Sequence, residues 1–295
     1  MAVMIGVDWG TSSFRAFRLA ADGAVLGRRS APQGILHIEA GRFAETLRQH
    51  VGGWLDEGET RVLLAGMVGS RQGWVEAPYL ACPAGAAEIA AALVAVPFEG
   101  ARVRLVPGLS DTDDSGVPEV MRGEETQIIG ALTEIRGDGV ACLPGSHSKW
   151  ARIAGGRITT YRTYLSGETF SALRYGTILG RMMTDGPTDL PAFDRGVARA
   201  AEPGHLLHHL FGVRTLGLAG KLKDVESASY LSGLLIGHEV RAARPRGLRV
   251  HLIGAMALCS LYARAITACG GESSVEDEDA AARGLALIGR RAQWN

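Results

Sequence analysis

Two short polar loops in the sequence contain the residue types that bind phosphate groups. The first, loop 1, is residues 8–13, reads D-W-G-T-S-S and follows an apolar run at residues 3–7. Glycine lets backbone N–H groups approach an anion closely, and hydroxyl groups donate hydrogen bonds to phosphate oxygens. A carboxylate at a strand end can hold a hydrated magnesium ion. Loop 1 therefore predicts a phosphate and metal site between two strands, although an ordinary hairpin with a polar tip has the same pattern.

The second loop, loop 2, is residues 144–149 and reads P-G-S-H-S-K after an apolar run at residues 140–143. In both places a strand, a polar loop, a strand, a glycine turn and another strand follow in this order, over residues 3–29 and again over 140–164. The identity between the two copies is low, so the order of elements carries the inference. We expect two halves of similar fold that face one another across a cleft, each presenting one loop to a polyphosphate.

A pair of glutamates lies between the two loops, in the segment M-R-G-E-E-T-Q at residues 121–127. The segment leads into an apolar helical pattern, so Glu124 and Glu125 fall in the first turn of a helix. The helix dipole alone favours negative charge at that position. A carboxylate that projects into a cleft could instead act as a general base. The residues themselves leave both interpretations open.

The spacing of apolar residues predicts the elements that position these groups. Strands are predicted at residues 14–19, 61–65 and 102–106, and helices at residues 41–55, 83–96, 166–183 and 226–243. Residues 109–118 are acidic and predict a loop. In the long helix 226–243, Gly233 and Gly237 permit close packing against another helix. A strand at residues 248–253 runs into Gly254 and Ala255 before a helix, where a nucleotide could lie against the backbone.

The composition argues against several classes of protein. The 295 residues carry 31 basic and 31 acidic side chains, which argues against a nucleic-acid-binding surface spread over the whole protein. No apolar run approaches the roughly 20 residues of a membrane helix, and no secretory signal is visible. The four cysteines are scattered, as expected for buried free thiols in a reducing cytosol. We expect a cytoplasmic protein that binds neither nucleic acid nor membrane.

Two clusters of potential metal ligands are better explained as solvated side chains. The first cluster is His205, His208 and His209, which have no cysteine or acidic partner at the spacing of a zinc site. The second is Asp111, Asp113 and Asp114, which belong to the predicted acidic loop.

The motifs together resemble the 2-dehydro-3-deoxygalactonokinase family, which comprises sugar-acid kinases of the actin/hexokinase/Hsp70 superfamily. Six blocks over nearly the whole chain carry the resemblance: D-W-G-T-S-S-F-R-A (8–16), A-G-M-V-G-S with G-W and A-P-Y (65–79), M-R-G-E-E-T-Q (121–127), P-G-S-H-S-K-W (144–150), S-G-E (166–168) and Y-L-S-G-L-L-I-G-H-E-V (230–240). Loop 1 alone recurs across the superfamily, whereas six blocks in order are specific. Ser146 stands where threonine is expected more often, and it keeps the hydroxyl group.

The resemblance implies an α/β fold of two RNase H-like (actin-like ATPase) domains, each a mixed sheet flanked by helices, with an ATP cleft between them. The N-terminal domain would span residues 1–136, with the C-terminal helix 279–291 as a candidate addition to it. The C-terminal domain would span residues 137–278. The first domain would contain loop 1 and the candidate base, and the second would contain loop 2 and the nucleoside site.

The implied reaction transfers the γ-phosphoryl group of ATP to the 6-hydroxyl of 2-dehydro-3-deoxy-D-galactonate, in galactonate catabolism. Asp8 would hold Mg²⁺ through water, and Glu125 would accept the hydroxyl proton, with Glu124 as the alternative base. Glu125 is favoured because the G-E-E block also looks like that of exopolyphosphatases, in which a glutamate positions the attacking water. ATP would be bound by Gly10, Thr11, Ser12, Gly145, Ser146, His147, Lys149, Gly254 and Ala255.

The substrate carboxylate is expected to bind a guanidinium group, and the sequence does not choose among four arginines. The substrate candidates are Arg15, Arg71, Arg122 and Arg162, together with Trp74 and Glu168. Two alternative functions remain: a polyphosphate or nucleotide phosphohydrolase with the same loops, and a non-catalytic sugar sensor. As a kinase, the protein would bind ATP and a small sugar acid and would be a monomer or a homodimer.

Overall fold

The computed structural model describes residues 2–135, 137–243, 247–277 and 279–294. Contacts divide the chain into two units, each made of separate segments. Unit 1 comprises Met1–Asp138, Ala151–Tyr161 and Asp277–Asn295, and unit 2 comprises Gly139–Trp150 and Arg162–Glu276. Two residues at the domain boundaries expected from the sequence, Arg136 and Glu278, lie outside the described residues.

The elements alternate between strands and helices along the chain. Up to residue 131 they are β1 (Ala2–Trp9), β2 (Phe14–Ala20), β3 (Val25–Ala31), α1 (Phe43–Asp56), β4 (Arg61–Ala65), β5 (Tyr79–Ala81), β6 (Ala84–Gly85), α2 (Ala86–Ala91), β7 (Val94–Val96), β8 (Arg102–Leu105), β9 (Gly108–Thr112), β10 (Pro118–Met121) and α3 (Glu124–Ala131). They continue with β11 (Gly139–Leu143), β12 (Ser148–Ala154), β13 (Arg157–Tyr164), α4 (Ser166–Gly176), α5 (Leu190–Arg199), α6 (Leu206–Leu218), α7 (Asp224–Ala243), β14 (Arg249–Leu252), α8 (Met256–Ala268), β15 (Glu272–Val275) and α9 (Ala280–Gly289).

A six-stranded mixed sheet forms the centre of unit 1, in the order β3-β2-β1-β4-β8-β7. The first three strands are antiparallel neighbours, whereas β4 runs parallel to β1 and β8 runs parallel to β4. Because neighbouring parallel strands end at the same edge of a sheet, loop 1 after β1 and residues 66–70 after β4 lie at one edge. A separate small sheet has the order β10-β9-β5.

Helices cover both faces of this mixed sheet. Ile5 and Val7 of β1 join a buried cluster with Leu47 of α1. Gly6, between them, lies against Leu285 of α9, since a β-carbon built on Gly6 would be 3.0 Å from that side chain. Alternate residues of a strand point to opposite faces, so α1 and α9 pack on opposite sides of β1.

Helix α9 also positions the start of α3, which carries the two glutamates. A β-carbon built on Gly284 would lie 1.8 Å from the carbonyl oxygen of Thr126, so only glycine fits at this crossing. The close approach buries Ile128 and Ile129 of α3 completely. The C-terminal helix therefore packs within unit 1, although it is far from α3 in the sequence.

Unit 2 is built on the parallel strands β11, β14 and β15. They belong to a sheet of order β15-β14-β11-β12-β13-β6. Val140 and Leu252 are buried with Ile236 of α7 and Tyr262 of α8. Within the four described stretches of the chain, no helix is both long and apolar enough to cross a bilayer.

The predicted close packing of helix 226–243 is confirmed. A β-carbon built on Gly233 of α7 would lie 2.0 Å from the carbonyl oxygen of Phe193 in α5, and one built on Gly237 would lie 2.9 Å from Ala200. These small residues let the two backbones approach to a distance that any side chain at Gly233 would prevent.

Three local predictions were wrong. The helix predicted at residues 166–183 ends at Gly176, and residues 178–182 form a separate 3-10 helix after the extended Thr177. Residues 83–96 form the short strand β6, the helix α2 and the strand β7 rather than one helix, because β6 pairs with β13 and β7 pairs with β8. Residues 109–118 contain most of β9 and the turn that leads to β10, rather than a loop throughout, because β9 pairs with β10. In the last two places pairing with a distant or neighbouring strand outweighs the local composition.

Candidate active site

Loop 1 begins at the end of β1, and its three hydroxyl side chains, Thr11, Ser12 and Ser13, are exposed. The N–H of Gly10 donates to the carbonyl oxygen of Ser13 at 2.9 Å and closes the loop. Hydroxyl groups on a closed, exposed loop can donate hydrogen bonds to phosphate oxygens. The geometry of loop 1 therefore permits the role expected from its sequence.

Loop 1 is supported by a segment that the sequence motifs did not indicate. The N–H of Ile35 donates to the carbonyl oxygen of Gly10 at 3.0 Å, and that of Leu36 donates to Thr11 at 3.2 Å. A β-carbon built on Gly34 would lie 2.3 Å from the carbonyl oxygen of Thr11, so a larger residue would displace the loop. The glycine before a short apolar stretch was the only sequence signal for this support.

Asp8 and Arg15 form an ion pair beside loop 1. The two residues are opposite one another in β1 and β2, so their side chains point to the same face of the sheet. The side chain of Asp8 is 12% exposed, and that of Arg15 is 43% exposed. Arg15, a substrate candidate, therefore lies next to the candidate metal ligand.

Three of the sequence blocks converge near Asp8 within unit 1. A β-carbon built on Gly66, in the block that follows β4, would lie 3.2 Å from Asp8 Oδ1. A β-carbon built on Gly123, in the glutamate block, would lie 3.2 Å from the Cα of Gly66. The fold thus brings together loop 1, the segment after β4 and the start of α3.

Glu125 is completely buried at the start of α3. Its Oε2 accepts a hydrogen bond from the N–H of Gly123 at 2.7 Å, and its Oε1 accepts one from the hydroxyl of Thr126 at 3.0 Å. Burial, assisted by the neighbouring charge of Glu124, raises the pKa of the Glu125 carboxyl group to about 8. A carboxyl group with this pKa can take up and release a proton near neutral pH, as a general base must.

Glu124 is half-buried and is held differently. Its Oε2 accepts a hydrogen bond from the N–H of Arg122 at 3.0 Å. Both glutamates therefore bind backbone N–H groups that precede the helix, as carboxylates at helix starts often do. The difference between them is burial, which is complete only for Glu125.

Loop 2 combines exposed and buried candidates. Ser146 and His147 are exposed, and Gly145 is half-buried. Lys149 is only 4% exposed, and its Nζ donates to the carbonyl oxygen of His147 at 3.1 Å. The ammonium group of Lys149 therefore lies beneath the loop and adds positive charge there.

Loop 2 meets the start of α4. The N–H of Glu168 donates to the carbonyl oxygen of Ser146 at 3.1 Å, and the Glu168 carboxylate pairs with the imidazole of His147. Gly167 lies against Gly145, since a β-carbon on Gly167 would be 2.4 Å from the Gly145 carbonyl oxygen. A phosphate candidate, His147, and a substrate candidate, Glu168, are thus direct neighbours.

The nucleoside candidates lie beside loop 2 within unit 2. A β-carbon built on Gly254 would be 3.6 Å from the carbonyl oxygen of Pro144, and Ala255 is exposed before α8 begins. A cavity of about 160 Å³ opens nearby and is lined mainly by apolar groups. Its lining includes Gly145, Ser166, Phe170, Leu235, Leu258 and Tyr262.

A buried carboxylate that sequence reasoning did not single out connects these elements. Glu239 of α7 is 3% exposed, and it accepts hydrogen bonds from Trp150 Nε1 at 2.7 Å and from the hydroxyl of Tyr262 at 2.8 Å. The hydroxyl of Ser148, in loop 2, lies 2.8 Å from the Tyr262 hydroxyl. Burial raises the pKa of Glu239, and hydrogen bonds from Ser166 and Trp150 oppose the shift. An acidic residue within the mostly apolar block 230–240 was the available signal.

The remaining substrate candidates have different environments. The side chain of Arg71 is 88% exposed and pairs with Glu76. Trp74 stacks on Phe43 of α1 at a ring distance of 6.3 Å and packs against the core of unit 1. Arg122 is buried in unit 1, and Arg162 is half-buried on β13 in unit 2. Arg71 and Arg122 lie in unit 1 with Arg15, whereas Arg162 and Glu168 lie in unit 2.

The histidine cluster is not fully solvated, in contrast to the prediction. His209 is completely buried, with its Nδ1 3.0 Å from His238 Nε2 and its Nε2 3.2 Å from the carbonyl oxygen of Pro203.

Asp111, one of the three aspartates of the acidic segment, accepts hydrogen bonds from the hydroxyl of Thr160 and from the N–H of Tyr161. Among the residues that the structure describes, no three His, Cys, Asp or Glu side chains are placed to hold a metal ion.

Solved structures define the fold class. A Sinorhizobium meliloti protein whose crystal structure is assigned to a 2-dehydro-3-deoxygalactonokinase is 35% identical, with a TM-score of 0.90 over 97% of this chain and 98% of that one. An activator of 2-hydroxyisocaproyl-CoA dehydratase from Clostridium difficile, with bound ADPNP, is 13% identical and shares the fold at a TM-score of 0.53 over 98% and 94% of the two chains. The predicted class of α/β units with helix-flanked mixed sheets is confirmed.

Sequence comparisons define the family. A protein of Rhizobium meliloti named a probable 2-dehydro-3-deoxygalactonokinase is 36% identical over 98% of this chain and 96% of its own length. The 2-dehydro-3-deoxygalactonokinase of Escherichia coli is 34% identical over 88% and 87% of the two chains. The family model for 2-keto-3-deoxy-galactonokinase matches residues 8–288, which include all six sequence blocks. The resemblance is confirmed, and the chain belongs to the 2-keto-3-deoxy-galactonokinase family.

Proposed function

We propose that this protein transfers the γ-phosphoryl group of ATP to the 6-hydroxyl of 2-dehydro-3-deoxy-D-galactonate. The observation that carries the proposal is the family match over residues 8–288. It favours a kinase over the phosphohydrolase and the sugar sensor. The convergence of loop 1, Gly66 and the glutamate block within unit 1 supports the same reaction.

Phosphoryl transfer requires positioning and charge neutralisation more than covalent chemistry by the protein. In unit 1, the proposed phosphate ligands are Gly10, Thr11 and Ser12. In unit 2, they are Gly145, Ser146, His147 and Lys149, with Gly254 and Ala255 near the nucleoside. The exposed hydroxyls of loop 1 and the positive charge beneath loop 2 are suited to these roles. The apolar cavity beside Gly145 is suited to a flat base.

The donor set of loop 1 also fits a magnesium ion. A carboxylate next to several hydroxyl groups offers the hard oxygen ligands that Mg²⁺ prefers. We propose that Asp8 holds the ion through water, in competition with Arg15 for the carboxylate. When bound, Mg²⁺ neutralises charge on the β- and γ-phosphates.

Glu125 is the proposed general base. Its burial raises the pKa of its carboxyl group to about 8, so that it retains affinity for a proton near neutral pH. In the ionised form it would accept the proton of the 6-hydroxyl as that oxygen attacks the γ-phosphorus. Glu124 remains the alternative base.

The proposed substrate-binding residues are a separate set. They are Arg15, Arg71, Trp74, Arg122, Arg162 and Glu168.

The proposed setting of the reaction is the cytoplasm. The thiols of Cys82, Cys142 and Cys259 are free, as is usual for a protein in a reducing compartment. The proposed oligomeric state is a monomer or a homodimer, which light scattering would distinguish.

A direct test uses purified protein, ATP, Mg²⁺ and a panel of sugar acids, with ADP release as the readout. We expect one ADP for each molecule of 2-dehydro-3-deoxy-D-galactonate consumed, and NMR should locate the phosphate on carbon 6. D-Galactonate, which lacks the 2-keto group, serves as the comparison substrate. Release of inorganic phosphate from polyphosphate, or ATP hydrolysis without a phosphorylated sugar, would contradict the proposal.

A further inference from the structure

Arg122 is a buried cation whose hydrogen-bonding capacity is largely unused. It is 8% exposed, although a charged guanidinium group loses much hydration free energy on burial. Its Nη2 donates to the carbonyl oxygen of Ala77 at 2.7 Å. Its Nε and Nη1 are buried without a hydrogen-bond partner among the described residues. No ion pair joins it to a carboxylate in the part of the chain that the structure describes.

The surroundings hold this guanidinium group in one orientation. It lies over the ring of Tyr79, with Cζ 4.5 Å from the ring centroid. A β-carbon built on Gly69 would lie 2.9 Å from Nη1, so the glycine lets the backbone of residues 66–70 pack against the charge. The N–H of Ala77 donates to the carbonyl oxygen of Gly69 at 3.0 Å, so the two backbone segments that contact the guanidinium group are hydrogen-bonded to each other.

A second unsatisfied group belongs to the same segment. The hydroxyl of Ser70, which directly follows Gly69, is also buried without a hydrogen-bond partner among the described residues. Leaving buried donors unpaired is costly, so native structures rarely retain several of them in one segment without a reason. Unpaired N–H groups on two nitrogens of Arg122, and an unpaired hydroxyl on Ser70 in the segment that packs against it, suit an anionic, oxygen-rich ligand.

The other candidate arginines lack this combination. Arg15 is paired with Asp8, and Arg71 is exposed and paired with Glu76. Arg162 lies in unit 2, whereas Arg122 belongs to the same segment as the proposed base.

We propose that Arg122, assisted by Ser70, binds the carboxylate of the sugar acid and thereby selects acids over neutral sugars. The carboxylate and the adjacent 2-keto oxygen offer neighbouring acceptors. Nη1 can bind one of them while Nη2, which uses one of its two N–H groups on Ala77, binds the other with the second, in a bidentate manner. Because the backbone at Gly69 packs against Nη1, binding of the acid at this nitrogen requires residues 66–70 to move away from it. The inference rests on the proposed function and adds to it the residue that binds the carboxylate of the substrate.

The test compares two substrates in each variant. One is 2-dehydro-3-deoxy-D-galactonate, and the other is the corresponding neutral 3-deoxyhexulose, in which CH₂OH replaces the carboxylate. We expect Arg122→Met to lower the ratio of the two kcat/KM values at least about tenfold, because a charge-assisted contact is made only with the acid. The KM for ATP should change little. Ser70→Ala should lower the ratio less.

Arg48→Met is the matched control, because Arg48 also lies over an aromatic ring, Phe98, and donates to a backbone carbonyl oxygen. Its preference for the acid should equal that of the wild type. If Arg122→Met does not fold, as judged by its melting curve, Arg122→Lys decides, since lysine keeps the charge but loses the bidentate geometry.

An unchanged acid preference in a folded Arg122 variant overturns the inference while leaving the kinase proposal intact. A wild-type protein that phosphorylates no sugar acid overturns the proposed function, and the inference with it. A loss of kcat/KM that is equal for the acid and the neutral sugar would show a purely structural role and would also overturn it.

Discussion

Asp8 and Arg15 face each other across β1 and β2 and form an ion pair beside loop 1. The pair gives the carboxylate a fixed orientation and a positive neighbour within unit 1. A metal ion or its water shell that binds Asp8 must compete with this guanidinium group. The carboxylate charge is therefore the property to test, because asparagine keeps the shape of Asp8 and removes the charge.

Asp8→Asn should fold normally and lose most phosphoryl transfer. Mutating a residue that holds a metal ion through an outer-shell contact typically costs about 10–100-fold in metal affinity or activity. Steady-state turnover over a range of Mg²⁺ concentrations measures the effect. The control is Asp22→Asn, since the side chain of Asp22 accepts a hydrogen bond from the N–H of Ala24 in an exposed turn. Near-normal turnover of Asp8→Asn at ordinary Mg²⁺ concentration would contradict the proposed role.

Lys149→Met should weaken ATP binding or slow transfer while leaving sugar-acid binding largely intact. The reason is that the ammonium group lies beneath loop 2 and donates to the backbone of His147, where we propose that its charge acts on phosphates bound at that loop. Calorimetry with ATP and with the sugar acid separates the two effects. Lys223→Met is the control, because Lys223 is 79% exposed and pairs with Glu226. ATP binding and turnover that both stay unchanged would indicate a structural lysine.

The local parts of the fold could be predicted, whereas the contacts that close the site could not. The β1–loop 1–β2 arrangement and the apolar face of helix α1 follow from patterns within about 15 residues. Glu239 and Trp150 are 89 residues apart, and nothing local shows that they share a hydrogen bond. The same holds for Arg122, whose environment depends on Gly69, Ala77 and Tyr79. The sequence identified the chemical groups, and tertiary packing determined which of them are buried or paired.

Glu239→Ala should destabilise unit 2, and Glu239→Gln should do so less. Alanine leaves Trp150 Nε1 without its acceptor, at about 1–3 kcal/mol for an unsatisfied buried donor, whereas the Tyr262 hydroxyl keeps Ser148 as a partner. Glutamine keeps one acceptor oxygen and the shape of the side chain. Urea unfolding measures both variants, with the exposed Glu272→Ala as the control. An alanine variant as stable as the wild type would show that these hydrogen bonds contribute nothing.

Glu125 gives the prediction that best separates catalysis from structure. If it is the base, Glu125→Gln should reduce turnover at least about a hundredfold, within the 10²–10⁴ range of general-base catalysis. Wild-type kcat/KM should rise with pH and level off above about 8, because the carboxyl group must be ionised to accept a proton. Glu124→Gln should be milder, because adjacent helical positions point about 100° apart. The measurements are steady-state turnover and its pH profile for both variants.

Stability provides the control for Glu125, because its carboxyl group titrates differently in the two states. Its pKa is raised from 4.5 to about 8 by folding, so the folded protein binds a proton that the unfolded chain releases between these values. The stabilisation is complete below pH 4.5 and is lost as pH rises through about 8, at up to about 1.4 kcal/mol per pH unit. Glu125→Gln should abolish this slope in the free energy of unfolding and be the more stable protein at high pH. A variant that loses the slope but keeps full turnover would make Glu125 a structural residue and leave Glu124 or Glu168 as the base.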